Sequence, residues 1–362
     1  MSSGGIQYAH AADGVRIAFW VVGSGPPLLL TLDSYSDVDT ALRLNPEFRS
    51  FLDRLAASHS VILYDPRGTG ASDRSVTSFT MSEMASDLSA IVEHLNLSRV
   101  AILGNYHLGT ASIVYAAEHP EKVSHLVLWH AYRALDDVAG NSLFGATRSL
   151  VSQDWQLFTE MLASVVMGWE TGEAARRFAG QIREALDRET LLAIMKATTS
   201  YDVREYLPKL SMPTLVMHRR DCRRHPVEIA RKLAAEISGA HLVLVDGNAM
   251  LYYLDEQSRV LDPLLAFLNE DSGRSDEPRG ETSEPANTPR LSTRESEVAV
   301  LVALGCTNRD IAERLVISEH TANLHVKHIL AKLGFRSRAQ IAAWIATSGA
   351  VDETGSTQPS AE

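Results

Sequence analysis

From Asn269 to Arg290 the chain contains no Leu, Ile, Val, Met or aromatic residue, and Pro278, Pro285, Pro289, Gly273 and Gly280 stand among charges, Ser and Thr. Such a stretch cannot bury enough apolar surface to offset the entropy of ordering it, so it reads as a solvated, disordered linker. The 362 residues therefore divide into a unit at 1–268, the linker at 269–290, and a second unit at 291–349. Residues 350–362 read as a disordered tail.

The overall balance, 45% apolar and 22% charged, is that of an ordinary globular protein. The longest apolar runs, Ala18–Val22 and Pro26–Leu30, fall far short of the roughly 20 residues of a membrane helix, so no membrane partner is expected. The start, Met1-Ser2-Ser3-Gly4-Gly5, lacks a basic segment followed by an apolar one, which predicts a cytoplasmic protein. Cys222 and Cys306 are the only cysteines, too few for a disulfide framework or a cysteine-rich zinc site, and no metal or cofactor is expected. A net charge of -11 argues against a nucleic-acid partner for the average surface. The acidity is unevenly spread, however: Leu291–Thr347 carries seven basic and five acidic residues, a net of +2.

The first unit alternates short β-rich runs (16–22, 28–31, 61–65, 100–103, 123–129, 214–218, 241–245) with helical patterns (47–57, 81–95, 107–119, 227–237). That alternation predicts an α/β fold, a mainly parallel sheet covered by helices on both faces. Between about 131 and 210 it gives way to helical character alone, which predicts a cap inserted over the sheet.

Four short helices are legible in the second unit. Ser292 with Glu295, Thr307 with Asp310, Ser318, and Ser337 with Gln340 supply starts, while Gly305 and Gly334 supply stops. The second and third helices have helix-turn-helix spacing. With Ala322, Val326, Ile329 and Leu333 turned inward, the third presents His320, Asn323, Leu324 and Lys327 on its other face. Asn suits an adenine edge, Lys a guanine or phosphate, and Leu a thymine methyl, although a solvated helix of a small bundle would show the same pattern.

Arg294-Glu295-x-Glu297-Val298, Asn308-Arg309-Asp310-Ile311-Ala312, Ile317-Ser318, Thr321, His325, Lys332-Leu333 and Arg338-Ala339-Gln340 together resemble the DNA-binding domain of LuxR-type transcription regulators over nearly the whole second unit. The resemblance implies double-stranded DNA as partner, with Thr307, Asn308, Ser318, His320, Thr321, Asn323, Leu324, Lys327, Lys332 and Arg338 as DNA-binding candidates. It also implies a homodimer on an inverted-repeat operator, with Ile341, Trp344 and Ile345 of the fourth helix as an apolar stripe for self-association. Where that family usually has Val-Lys after the helix-three Thr, this chain has Ala322-Asn323, which leaves Lys327 as the main basic residue of the reading face.

The first unit resembles the α/β-hydrolases through Tyr64-Asp65-x-Arg67-Gly68-x-Gly70-x-Ser72-Asp73, through Ala117-Glu118-His119-Pro120-Glu121-Lys122-Val123, and through Met212-Pro213-Thr214-Leu215-Val216. That family carries a Ser on a strand-to-helix elbow, an acid after a late strand and a His after the last strand. Tyr106 falls on the elbow position, Cys222 on the acid position and Met250 on the His position, so the resemblance implies a degenerate triad and no enzyme. Leu108 replaces an elbow glycine, which predicts a relaxed turn, and Leu32-Asp33 falls where the oxyanion is usually held. Asp221 is a remote substitute acid. His107, His218 and His225 read as surface or satisfied core residues, with an unrelated acid-base site as the remote alternative, and Cys222 reads as an inert thiol, with a redox sensor as the alternative that the nearby arginines would support.

A fold that has lost its chemistry can keep its cleft. Tyr35, Tyr106, His107, Trp155, Phe158, Met250 and Tyr252 are the expected lining of a pocket for a small, largely apolar ligand, the alternative being that such residues are core and fill the space a substrate would use. The expectation is a transcription regulator with an α/β-hydrolase-like sensor domain. The alternatives are an active esterase tethered to a DNA-binding domain and a ligand-free interaction module.

Overall fold

The structure, a computed structural model, describes residues 5–32, 35–140, 149–169, 172–254, 256–269, 293–315, 317–332, 335 and 337–347. They belong to two compact units that divide between Ser275 and Asp276. The expected linker beyond Asn269, the tail, Asp33, Ser292, Leu333 and Gly334 lie outside the described residues.

The first unit is built on an eight-stranded sheet of order β1-β2-β4-β3-β5-β6-β7-β8, comprising β1 (Gln7–His10), β2 (Arg16–Val22), β3 (Pro27–Thr31), β4 (Ser60–Tyr64), β5 (Val100–Asn105), β6 (Val123–Trp129), β7 (Thr214–Arg219) and β8 (His241–Val245). β2 runs antiparallel to both of its neighbours, and the ladder from β4 through β3 to β8 is parallel. The inner strands are continuous apolar runs because both faces are covered. Leu28, Leu30, Leu103, Val127 and Trp129 point to one face; Leu29, Ile102, Leu126 and Leu128 point to the other.

The first face packs against α1 (Val38–Leu44), α2 (Pro46–Ala56) and the cap, and the second against α3 (Met81–His94) and α4 (Tyr106–Glu118). The cap holds α5 (Asp136–Ala139), α6 (Trp155–Val166), α7 (Gly172–Ala185) and α8 (Arg188–Ala197), followed after β7 by α9 (Val227–Glu236) and after β8 by α10 (Ser258–Asn269). No strand occurs among the described residues of 131–210, in line with the expected helical insertion. The loop after β4 is fixed by its own motif. Asp65 accepts from the backbone N–H groups of Val38 and Ala71, both at 2.7 Å, and Gly70, at φ +48°, is needed because a Cβ there would lie 2.1 Å from Asp65 Oδ2. Fully buried Arg67 pairs with Asp87 and Asp13, each at 2.7 Å.

The second unit is α11 (Thr293–Ala303), α12 (Asn308–Leu315), α13 (Glu319–Lys332) and α14 (Arg338–Thr347). Thr307 and Asp310 form the expected reciprocal cap, Ser318 Oγ accepts from Thr321 N at 3.0 Å, and Gly305 ends α11 at φ +80°. Val298, Val302, Ile311, Ala322, Val326 and Ile329 form its core, and so do Ile341 and Ile345. The expected self-association stripe is thereby corrected. Ile341 and Ile345 are buried within the unit itself, since a four-helix domain this small needs one face of every helix inside, and Trp344 is half-buried at the edge of the same core.

Candidate functional site

β5 ends at Asn105 and α4 begins at Tyr106, whose φ of +51° is left-handed, a conformation an L-residue adopts only under constraint. The elbow is therefore kept, against the expectation that Leu108 would relax it. The close approach is made one residue later: a Cβ on Gly104 would sit 2.9 Å from Gly109 Cα, and one on Gly109 would sit 3.1 Å from Gly104 O. The sequence contains this substitute glycine.

Tyr106 is buried, and the space its elbow faces is almost full. A cavity of about 10 Å³ remains, lined by Tyr35, Asn105, Tyr106, Val166, Met250 and Leu251, which is barely the room of one water. Of the seven expected pocket residues, Tyr35, Tyr106 and Met250 line it. His107 lies against Tyr106, with ring centroids 3.7 Å apart, and its Nδ1 is 2.6 Å from Tyr132 Oη. Trp155 and Phe158 instead stack on each other within the cap, and Tyr252 packs on Phe51 and Trp129 beneath the site. The open pocket expected from the sequence is thus a plugged one, because bulky Tyr106 and Met250 occupy it.

The loop after β8 is latched to the cap. Met250 N donates to Val166 O at 2.8 Å, Asn248 Nδ2 donates to Gly168 O at 2.9 Å, and the Trp129 indole N–H donates to Met250 O. Cys222 is buried between β7 and α9, and burial pushes its thiol up despite the surrounding arginines. This agrees with the inert thiol and not with the redox alternative. Asp221 is exposed.

Beyond Tyr106 lies a cluster that the sequence indicated in part. His225 is 4.7 Å from the Tyr106 ring; His130, at the end of β6, is 5.9 Å from His225 and 3.9 Å from His218, between ring centroids. His218 Nδ1 meets the Arg219 carbonyl at 2.7 Å, while His130 Nδ1, His218 Nε2 and both ring nitrogens of His225 make no hydrogen bond among the described residues. Burial pushes His218 down to about 4, and His130 and His225 well below the usual imidazole range, so all three are neutral. His130 was not singled out from sequence, because only the parallel pairing of β6 with β7 brings it beside His218. No group of three or more His, Cys, Asp or Glu among the described residues is arranged to hold a metal ion.

In the second unit, the face of α13 away from the core carries exposed Leu324, Lys327 and His328; the last had been passed over. Asn323 is half-buried, and the His320 side chain lies outside the described residues. Three other DNA-binding candidates serve the fold. Thr307 caps α12, Lys332 pairs with Glu295 at 3.0 Å, and Arg338 is turned onto Asn308 and the Cys306 carbonyl. Ser318 and Thr321 cap α13, with their hydroxyls 2.7 Å apart.

This strand order, strained elbow and helical cap define an α/β-hydrolase-fold protein, here joined to a helix-turn-helix domain. The chain belongs to the alpha/beta hydrolase fold family, which matches residues 41–256, and residues 289–345 match the luxR family of bacterial regulatory proteins. The second match makes the C-terminal unit the DNA-binding domain of a transcription regulator. Similar proteins include the putative carbamate hydrolase RutD of Azorhizobium caulinodans, 24% identical over 73% of this chain and 99% of that one. The RutD of Rhizobium rhizogenes is 26% identical over 60% and 85% respectively. Among solved structures, an esterase from Rhodococcus sp. has a TM-score of 0.63 at 21% identity, covering 73% of this chain and 98% of its own. A bromoperoxidase from Bacillus anthracis has a TM-score of 0.64 at 20% identity, covering 74% and 100%. Likeness at this level establishes the fold. No described helix is long and apolar enough to cross a membrane.

Proposed function

We infer that the chain is a DNA-binding transcription regulator whose hydrolase-fold domain binds a small, largely apolar molecule in place of turning one over. The observation that carries this reading is the elbow. The strained backbone that would present a nucleophile is retained, but it presents a phenol against imidazole and aromatic rings, with Met250 where a base would stand. Retaining a strained turn costs on the order of 1–3 kcal/mol, which is reasonable where the turn still shapes a site. A ligand reaches that site by displacing the Tyr106 and Met250 side chains and loosening the latch between the cap and the loop after β8. Because the cavity is nearly full, a ligand-free interaction module is the second reading.

The test is a thermal-shift screen of apolar metabolites on the full chain, run beside Tyr106→Ala. Truncating the phenol opens an apolar cavity on the order of 100 Å³, of the kind that takes up small apolar molecules. A ligand at a hundredfold excess over its Kd should stabilise the wild type by about 2.7 kcal/mol. If neither protein shifts with any compound, the interaction-module reading replaces this one.

For the DNA-binding unit, one reading helix covers too few base pairs for a specific site. Two copies on an inverted repeat, with half-site centres roughly 10 base pairs apart, supply the rest. Lys327→Ala is expected to weaken binding across all sequences and to lower the salt slope by about one unit, measured by fluorescence anisotropy between 50 and 200 mM salt. An unchanged slope would remove Lys327 from the phosphate contacts.

A further inference from the structure

Beyond the Tyr106 ring stand three buried imidazoles, each beside the next: His225 is 4.7 Å from Tyr106, His130 5.9 Å from His225, and His218 3.9 Å from His130, between ring centroids. None of them falls on a triad position, and their arrangement does not suit a metal ion. Hydrogen bonds to the backbone fix two of the tautomers. His218 Nδ1 faces the Arg219 carbonyl at 2.7 Å, which can only accept, so this nitrogen carries the hydrogen and Nε2 is bare. His130 Nε2 accepts from Arg219 N at 3.3 Å, so its hydrogen is on Nδ1. Neither the bare nitrogen of His218 nor the Nδ1–H of His130 meets a partner among the described residues, and the His225 ring has only a poorly aligned contact to the His130 backbone. Native interiors pair nearly all such groups, so a run of them beside a site calls for an occupant. His130 also stands at φ +51°, a second left-handed turn close to that of Tyr106.

Charge distinguishes the two ends of the cluster. Arg224, buried and adjacent in sequence, acts on His225, and buried Arg219 acts on His130, while the carboxylate of Glu228 acts on His218, the member farthest along from Tyr106. The end reached through Tyr106 is therefore the positive one. The cavity that Tyr106 lines is mainly apolar, bounded also by Tyr35, Asn105, Val166, Met250 and Leu251. We propose that the hydrolase-fold domain takes an apolar carboxylic acid, whose carboxylate replaces the Tyr106 ring against His225 and whose apolar part lies toward Met250 and Val166. A neutral imidazole always keeps one N–H, and that of His225 is poorly used, so giving it to the ligand forfeits little. An interior N–H gains most from an ionised acceptor, and the nearby positive charge offsets the cost of taking a carboxylate out of water. Tyr106, a ring with a hydroxyl, is the chain's own plug for the same place. The inference rests on the ligand-binding reading above and goes beyond it by naming the head group.

Head group is separated from size in the hole left by Tyr106→Ala, made in the full chain. Benzoate, benzamide and toluene share the ring that this substitution removes and differ only in the head, and their affinities are measured by isothermal titration calorimetry near neutral pH. Benzoate should bind more tightly than either neutral compound by on the order of tenfold. Adding His225→Leu to Tyr106→Ala should abolish that preference, whereas adding His225→Gln, which keeps an N–H donor, should retain it. Benzamide or toluene binding as well as benzoate overturns the head-group assignment and leaves the ligand-binding reading standing. A benzoate preference that His225→Leu does not change has the same consequence. No binding by any of the three overturns both. If Tyr106→Ala does not fold, the wild type and His225→Leu are titrated with octanoate, octanamide and octanol, and the same outcomes decide.

Discussion

Purified protein will not turn over short-chain p-nitrophenyl esters above the uncatalysed rate, a deficit of at least about 10⁴-fold against an intact triad on this fold. Acyl transfer at the elbow needs a hydroxyl that a neighbouring base can deprotonate. Met250 has no titratable group, and the imidazoles nearest the elbow are held by other contacts: His107 on Tyr132, and His225 behind the Tyr106 ring. Tyr106→Ser alone is expected to stay inactive, because a serine without its base and acid is an ordinary alcohol. The combined Tyr106→Ser, Cys222→Asp and Met250→His variant is the informative positive control. Its hydroxyl, acid and base would stand on the retained elbow, and any activity it gains measures what the natural residues lack. Steady wild-type turnover that disappears in Tyr106→Phe would reverse this account and restore the tethered-esterase reading.

Most of the framework was legible because it rests on strong local signals. β2, β6 and β8 fall within the bounds read from periodicity, and the Thr307/Asp310 and Ser337/Gln340 caps form as their spacing suggests. What escaped was short or non-local. β1 is a four-residue edge strand paired only with β2, α1 spans seven residues, and α10 carries Pro263 in its interior, a residue that reads as a stop. The expected triad positions Tyr106, Cys222 and Met250 came from counting along neighbouring motifs, which says nothing of whether the space around them is open. That depends on how Tyr106, Met250 and Val166 pack across elements far apart in sequence. The stripe on α14 erred for a related reason: an apolar helix face looks the same in sequence whether its own domain or a second copy covers it.

His225→Leu is expected to raise the melting temperature at neutral pH, an unusual result for a fully buried position. The His225 ring lies in the interior with only a poorly aligned backbone contact to His130 and no hydrogen bond of good geometry among the described residues, and each unmet ring nitrogen forfeits about 1–3 kcal/mol of hydration. Leucine is close in volume and has nothing to desolvate. The same burial predicts acid lability. His130, His218 and His225 have folded-state pKa values below the roughly 6.5 of an unfolded histidine. Their contribution is therefore complete above pH 6.5 and is lost as the pH falls toward the folded values, about 4 for His218. Each histidine costs about 1.4 kcal/mol per pH unit in that window. Asp65 and Asp87 oppose them, since burial raises them to about 7 and about 6 and the native state takes up their protons first as the pH drops. The buried histidines outnumber these carboxyls, so the melting temperature is expected to fall as the pH drops below 6.5. His225→Leu should flatten that fall. A lower melting temperature for the variant at pH 8 would mean that the imidazole is satisfied after all, by water or a bound molecule. A ligand response shown by the wild type and not by the variant would then place that molecule against His225 and Tyr106, at the strained turn.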